Sequence, residues 1–356
     1  MPADSTGSPT PERPRMRAVV LEEFGVEPTL RSIERPTPGR GEVLVRVKAS
    51  GVNPLDIKIK SGAAGHAQVK PPHVLGIDLA GVVTEVGPGV TRFDVGDEVY
   101  GMAGGVGGLP GTLAEYAAVD ADLLARKPVR LSMVEAAALP LALITAWEGL
   151  VDRAGVGPRQ LVLVHGGAGG VGHIAVQLAI ARGATVFATG SEANLETIRG
   201  LGAEPIDYRA TSMEEYVQSA TGGEGFDVIF DTVGGATLDL SFAAVRPYTG
   251  RVVSILGWGE HSLAPLSFRG ASYSGVFTLL PLLTGKHRAH HGNALAAAAD
   301  LVDQGLITPI VDPTPYHLGT VGEAHQAVAS GSRQGKVAVA VGTDTGSVEP
   351  EAESAS

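Results

Sequence analysis

Residues 161–179 read LVLVHGGAGGVGHIAVQLA, and five of the nine positions from Val164 to Gly172 are glycine. Glycine weakens strands and helices alike, so this density between an apolar run and an amphipathic helix signals that something must lie against the backbone. Gly167, Gly169 and Gly172 fit the spacing G-x-G-x-x-G, directly after a predicted strand and at the opening of a predicted helix. In that setting the glycines allow a tight turn, a close approach of pyrophosphate to main chain, and packing of helix on sheet. Free N–H groups at the helix N-terminus then bind the anion. The stretch GMAGGVGGLPG at 101–111 is as rich in glycine, but no helix-forming run follows it and it reads as a loop. A dinucleotide is the ligand implied at 164–172.

Outward from this motif, strands and helices alternate from Leu161 to about Val276: LVLVHG, TVFATG, EPIDY, DVIFDTV, RVVSIL and SYSGVF, with helical segments between them. Continuous apolar strands at this spacing predict a parallel sheet covered on both faces, a doubly wound α/β domain. Upstream, from Met16 to about Val119, short Val-rich runs separated by Gly and Pro predict a compact β-domain. Between the two, SMVEAAALPLALITAWEGLVDRAG is apolar, Ala-rich and helical, with Ser132 as N-cap. Beyond the α/β unit, GKVAVAV reads as a strand that needs a sheet to join, which returns the chain to the first domain.

Composition bounds the function. A chain of 356 residues suits two domains, and no apolar run approaches the length that spans a bilayer, so the protein reads as soluble, without a membrane partner. The N-terminus lacks a secretory pattern, which places the protein in the cytoplasm. With 38 acidic against 27 basic residues, the net charge of −11 would repel a phosphate backbone, so nucleic acid is excluded as a partner. There are no cysteines, which removes disulfides, iron–sulfur clusters, thiolate zinc sites and cysteine nucleophiles. Residues 1–15 and 343–356, small, polar and in the second case acidic, read as disordered tails.

The end of the second α/β strand speaks to the choice of nucleotide. An NAD site usually places there an acid that holds the ribose 2′-hydroxyl. Here the strand ends FATGS, with Thr189, Gly190 and Ser191 where that acid would stand. A carboxylate would repel a 2′-phosphate, so its absence favours NADPH over NADH. Glu192 one step on, and the lack of a basic residue beside the strand end, pull the other way.

GVNPLDIK (51–58), VLGIDLAGVVTEVGPGVTRFDVGDEVYG (74–101), GTLAEYAAV, AAALPLALITAWEGL, VLVHGGAGGVGHIAVQLA, LGAEPIDY, DVIFDTVGG and GKVAVAV occur in an order that resembles the zinc-free quinone oxidoreductase branch of the medium-chain dehydrogenase/reductase superfamily. The resemblance covers about Met16 to Val341. It implies a GroES-like β-domain at 16–140, a Rossmann NADP(H)-binding domain at 141–299, and a return to the first domain at 300–342. Zinc-dependent relatives carry a cysteine where this chain has Asn53, and Gly-His-Glu where it has Gly76, Ile77 and Asp78, so no zinc is expected. The resemblance points to Asn53 near the reacting carbonyl and to Thr145 against the nicotinamide carboxamide. It puts Gly167, Gly169, Gly170 and Val171 at the pyrophosphate, and Gly190, Ser191, Asn194 and Tyr208 about the adenosine phosphate. Val233, Leu256, Gly257, Phe277 and Lys336 fall at cofactor-lining positions. It also implies a homodimer formed through the last Rossmann strand.

Several residues have plainer readings. Asn53 precedes a proline and can simply start a turn, and Asp56 and Asp78 read as hydrogen-bonding residues that hold turns. KHRAHHG, with His287, His290 and His291, reads as a solvated loop rather than a metal site. His165 reads as packing or capping, and Trp147 as packing. Trp258, just past the fifth α/β strand, is expected to line the substrate pocket. These readings converge on an NADPH-dependent oxidoreductase that passes hydride to a quinone or an α,β-unsaturated carbonyl of a small-molecule substrate. Two others stay open: a dedicated enoyl reductase or tailoring enzyme of a biosynthetic pathway, and an NADPH-binding sensor or structural protein without catalysis.

Overall fold

The computed structural model describes residues 14–331 and 335–342. The expected tails lie outside them, except that Arg15 already belongs to a strand, Arg15–Leu21. The first domain is organised by the eleven-residue strand β1 (Glu42–Val52), the centre of a seven-stranded sheet. Val43, Val45 and Val47 alternate into its core and are almost wholly buried. After Val52 the chain turns at Asn53 into helix α1 (Pro54–Lys60), with proline at the first helical position, where its missing N–H costs nothing. Strand β2 (Asp78–Val86) runs antiparallel to β1, and its register sets Asp78 opposite Gly51. A side chain at Gly51 would meet the carbonyl oxygen of Ala137 at 2.3 Å, so the helical segment that follows packs directly on this strand.

Helix α2 (Pro140–Trp147) leads into the second domain. Its strands are β3 (Leu161–His165), β4 (Thr185–Gly190), β5 (Glu204–Asp207), β6 (Val228–Asp231), β7 (Arg251–Ser254) and β8 (Ser272–Gly275). All are parallel, in the spatial order β5-β4-β3-β6-β7-β8. The order reverses between β3 and β6, and in open α/β sheets the ligand crevice opens at the carboxyl ends of the two strands flanking that reversal. Helix α3 (Gly172–Ala181) follows β3 across a six-residue turn. A Cβ at Gly172 would lie 2.0 Å from the Gly166 oxygen, which only glycine permits.

Helix α4 (Arg288–Asp303) corrects one expectation. The stretch with His287, His290 and His291 is not a loop: α4 begins at Arg288, and His291 is fully buried with Nε2 3.4 Å from Glu148 Oε1. His290 Nε2 meets Asp152 Oδ2 at 2.8 Å. Gly292 lets the helix press on the main chain at Asp122, where a Cβ would come within 2.5 Å of the carbonyl oxygen. The Ala-rich run after it then propagates the helix through it. Strand β9 (Val337–Ala340) rejoins the first sheet antiparallel to β1, pairing Val337 with Val52. That pairing brings Lys336 and Asn53, 283 residues apart in sequence, into hydrogen-bond contact. Among the described residues no helix is long and apolar enough to cross a membrane.

Candidate active site

Two cavities meet at the reversal point. The outer one, about 750 Å³, is built from the second domain alone. His165 and Gly166 from the end of β3 line it, with Thr189, Gly190 and Ser191 from the end of β4 and Tyr208 past the end of β5. Its floor is fixed by buried hydrogen bonds: His165 Nδ1 contacts Thr189 Oγ1 at 3.2 Å, and the Thr189 hydroxyl accepts the Gly166 N–H at 3.2 Å. Asp231, fully buried, accepts the N–H groups of Val233 and Gly234 at 3.0 Å each and the Ser254 hydroxyl at 2.7 Å, which holds the loop after β6 against the cavity.

The turn between β3 and α3 joins the two cavities, with Gly169 lining both. The main-chain N–H groups of Gly170 and Val171 have no hydrogen-bond acceptor among the described residues. Both residues line the inner cavity at the start of a ten-residue helix, an arrangement that favours an anion. A Cβ at Gly169 would touch only the Gly166 oxygen, at 3.1 Å, so the cradle is open where a diphosphate would lie. His173, the second residue of α3, braces this loop. Its Nδ1 lies 2.8 Å from the Gly169 carbonyl and its Nε2 3.2 Å from the Ile310 N–H, which fits only a neutral ring that donates from Nδ1 and accepts at Nε2. Burial pushes its pKa down to about 4 and keeps it neutral.

The inner chamber, about 350 Å³, is built from both domains. On its wall Asn53 is fully buried: Nδ2 donates to Asp78 Oδ2 at 2.9 Å, and Oδ1 accepts a hydrogen bond from Lys336 Nζ. Asp78 also accepts the Leu141 N–H at 3.0 Å, and Asp56 accepts the Asn53 N–H at 2.8 Å. Burial, opposed by Lys336 and these hydrogen bonds, pushes Asp78 up to about 6. Burial, opposed chiefly by the Asn53 N–H and reinforced by Asp78, pushes Asp56 up to about 7. Two carboxyls, a lysine and an amide thus form one network in which the amide is clamped at both ends. Thr145 lines the same chamber, its hydroxyl donating to Leu141 O at 2.6 Å and leaving the oxygen to accept.

Of the sequence-derived residues, Asn53, Thr145, Gly169, Gly170, Val171, Leu256, Trp258, Phe277 and Lys336 line the inner chamber. Gly190, Ser191, Asn194, Tyr208 and Val233 line the outer cavity. Gly167 and Gly257 line neither. A Cβ at Gly167 would strike Ala188 Cβ at 2.5 Å, and one at Gly257 would strike Tyr273 Oη at 2.1 Å, so these glycines serve packing inside the domain. The sequence reading did not single out His173, His66 or Arg209. Arg209 lies 5.5 Å over the Tyr208 ring and donates from Nε to its hydroxyl at 3.3 Å, which puts a basic group beside the outer cavity. Its place directly after Tyr208 was the available signal.

The positions that would bear zinc hold Asn53, Ile77 and Asp78: an amide engaged at both ends, a buried isoleucine, and a carboxylate bonded to that amide. Zinc needs three or four convergent donors. Among the described residues, no group of three or more His, Cys, Asp or Glu could hold an ion. This donor set does not fit zinc.

Comparison with known families and structures agrees with this architecture. Residues 39–129 match the alcohol dehydrogenase GroES-like domain, and residues 201–339 match a family described as zinc-binding dehydrogenase. The chain is 33% identical over 335 residues to a 2-methylene-furan-3-one reductase of Solanum lycopersicum, covering 91% of this chain and 79% of that one. It is 31% identical to the mitochondrial NAD(P)H oxidoreductase RTN4IP1 of Danio rerio, covering 92% of each. It also shares 33% identity with phthioceranic/hydroxyphthioceranic acid synthase of Mycobacterium tuberculosis, of whose length it spans only 16%. Among solved structures, an alcohol dehydrogenase superfamily protein from Novosphingobium aromaticivorans superposes with a TM-score of 0.90 at 52% identity, covering 92% of this chain and all of that one. The quinone oxidoreductase of Coxiella burnetii superposes with a TM-score of 0.77 at 28% identity, with the same coverage.

Proposed function

Because this chain belongs to the medium-chain dehydrogenase/reductase superfamily, as an NAD(P)H-dependent oxidoreductase, we propose that it uses NADPH to reduce a quinone or the carbon–carbon double bond of an enone, without metal. The observation that carries this reading is the joint between the cavities. Gly169 belongs to both, and beside it Gly170 and Val171, whose main-chain N–H groups have no acceptor among the described residues, line the inner chamber. A dinucleotide laid across that joint has its adenosine in the outer cavity and its nicotinamide in the inner chamber. When bound, the cofactor supplies a hydride, two electrons and one hydrogen, from its nicotinamide ring.

The chain's own residues do the rest. Gly170 and Val171 donate to the diphosphate. Thr145 Oγ1 accepts from the carboxamide and fixes which face of the ring looks into the chamber. Lys336 and Asn53 stand where a carbonyl oxygen gains negative charge, and the ammonium stabilises that charge as it develops. The hydride adds to the β-carbon of an enone or to a quinone. The second hydrogen arrives as a proton, at the α-carbon or on oxygen, and Lys336 is the acid this chain places there. In the outer cavity Ser191, Asn194, Tyr208 and Arg209 surround the 2′-phosphate, with Arg209 supplying the cation that the strand end lacks. The likeness to the solved CurK enoyl reductase supports a second reading, reduction of an enoyl thioester.

A homodimer and a cytoplasmic location remain part of the proposal. Strand β8 ends the sheet order, and an open edge calls for cover. Near it Tyr248 and Phe268 are 88% and 89% exposed, apolar surface that a second copy would bury. The test is steady-state oxidation of NADPH and NADH against quinones, enones and an enoyl thioester. The reading predicts turnover faster with NADPH on quinones or enones and unaffected by chelators. Turnover that requires added metal would contradict it.

A further inference from the structure

Three aromatic rings from the two domains close on one another at the inner chamber. His66 comes from the short turn Gly65–Ala67 of the first domain, Trp258 from the loop after β7, and Phe277 from the loop after β8. The His66 and Trp258 rings stack, 5.3 Å between centroids and 30° apart. Phe277 meets Trp258 edge-on at 6.3 Å and 87°, and His66 at 6.1 Å and 62°. All three line the chamber that holds Asn53 and Lys336. Trp258 nevertheless remains 55% exposed, a large ring kept at the surface over a cavity when its neighbours could have covered it.

We propose that the His66–Trp258–Phe277 cluster sets substrate specificity, selecting acceptors whose conjugated carbonyl system includes or carries a planar ring over ring-free enones and enoyl thioesters. The inference rests on the reductase reading above and names the substrate class for that same site. A flat π-system laid against Trp258 extends a stack that already spans both domains, and edge and face contacts of this kind favour aromatic partners beyond their buried area. A ring-free acceptor fills the same volume without that contact. Among the described residues, Lys58 and Lys336 are the only lysines or arginines on the chamber lining, far from the cluster of basic groups that the phosphates of a coenzyme A thioester would call for.

The test compares 1,4-naphthoquinone and 4-phenylbut-3-en-2-one with pent-3-en-2-one and crotonyl-coenzyme A, using the full chain and its W258A, W258F and H66A variants. The expected result is a preference for the ring-bearing acceptors of about tenfold or more in kcat/KM. In W258A this preference falls below about threefold, chiefly through KM, and W258F restores most of it. A merely structural role for Trp258 would lower both substrate classes together and leave the ratio unchanged, which would overturn the proposal. So would a preference of the unmodified protein for crotonyl-coenzyme A. A second readout does not need turnover. In a W147F variant Trp258 is the single tryptophan, and 1,4-naphthoquinone should quench its fluorescence saturably, more weakly when H66A is added. If the protein reduces none of the four acceptors, the reductase reading fails, while saturable quenching would still support the ring site and its absence would overturn it.

Discussion

The two cavities are made in different ways. The outer one comes from a single domain, from the carboxyl ends of neighbouring parallel strands and the segments that follow them, and its surface is mostly glycine, small hydroxyls and apolar side chains, with two tyrosines, Tyr208 and Tyr216. The inner one draws on residues as far apart as Val52 and Lys336, and behind its Asn53 wall two buried carboxyls are held out of water beside a buried lysine. A site assembled by consecutive turns of one fold needs little beyond main chain. A site assembled between domains concentrates charge, aromatic rings and pKa shifts, because only there can distant side chains be sealed from solvent together. In the proposed mechanism nucleotide binding rests chiefly on the first and on the joint, and chemistry on the second, so each should be open to disabling without the other.

The sharpest way to break this division is at the joint. Gly169→Val fills the cradle with its Cβ 3.1 Å from the Gly166 main-chain oxygen, so NADPH affinity should fall by about 100-fold or more, well beyond the modest drop in melting temperature that this tight contact brings, read by calorimetry and thermal scanning. Equal affinity would mean that the diphosphate lies elsewhere. Lys336→Met strikes the inner chamber alone. There kcat should fall by about 50-fold while NADPH affinity stays within about threefold, and a loss of affinity with kcat retained would move Lys336 to the binding half. In the outer half, Arg209→Ala should raise KM for NADPH by about tenfold and leave NADH unaffected. A parallel rise for both nucleotides would remove Arg209 from the 2′-phosphate.

The smallest effect is on stability. Asp56 has a folded pKa of about 7, above its ordinary 3.8, so the native state holds its proton longer than the unfolded chain does. Its contribution is complete below pH 3.8 and is lost as pH rises through about 7. Asp56→Asn keeps an acceptor for the Asn53 N–H and removes the ionisation. Its melting temperature relative to the unmodified protein should therefore climb by about 3 °C between pH 5 and pH 8. His173 and His165 work in the opposite direction. Burial lowers both to about 4, so their contribution is present above 6.5 and is lost as pH falls toward 4.

The same contrast explains what could be read from the sequence. The α/β domain, its glycine turn and the strand ends that frame the outer cavity were legible because each follows from local spacing: apolar strands, a glycine motif, a helix opening behind it. The joining of Asn53 to Lys336 was not, since it depends on the register of Val337 against Val52 across most of the chain. His173 was hidden because a histidine inside an apolar helix looks like any buried residue until its two ring partners are known. Gly167 and Gly257 show the converse. A motif position and a strand-end position point to cofactor, and on one side of each Ala188 and Tyr273 take the space a Cβ would need, a packing role that local spacing does not reveal.

A crystal structure of the NADPH complex tests the central claim most directly. The account predicts one dinucleotide per chain, its diphosphate on the Gly170 and Val171 amides, its 2′-phosphate beside Tyr208 and Arg209, and its nicotinamide in the chamber with Thr145 and Lys336. Density for the nucleotide that leaves the Gly169 turn untouched, or that places the nicotinamide outside the inner chamber, would contradict it.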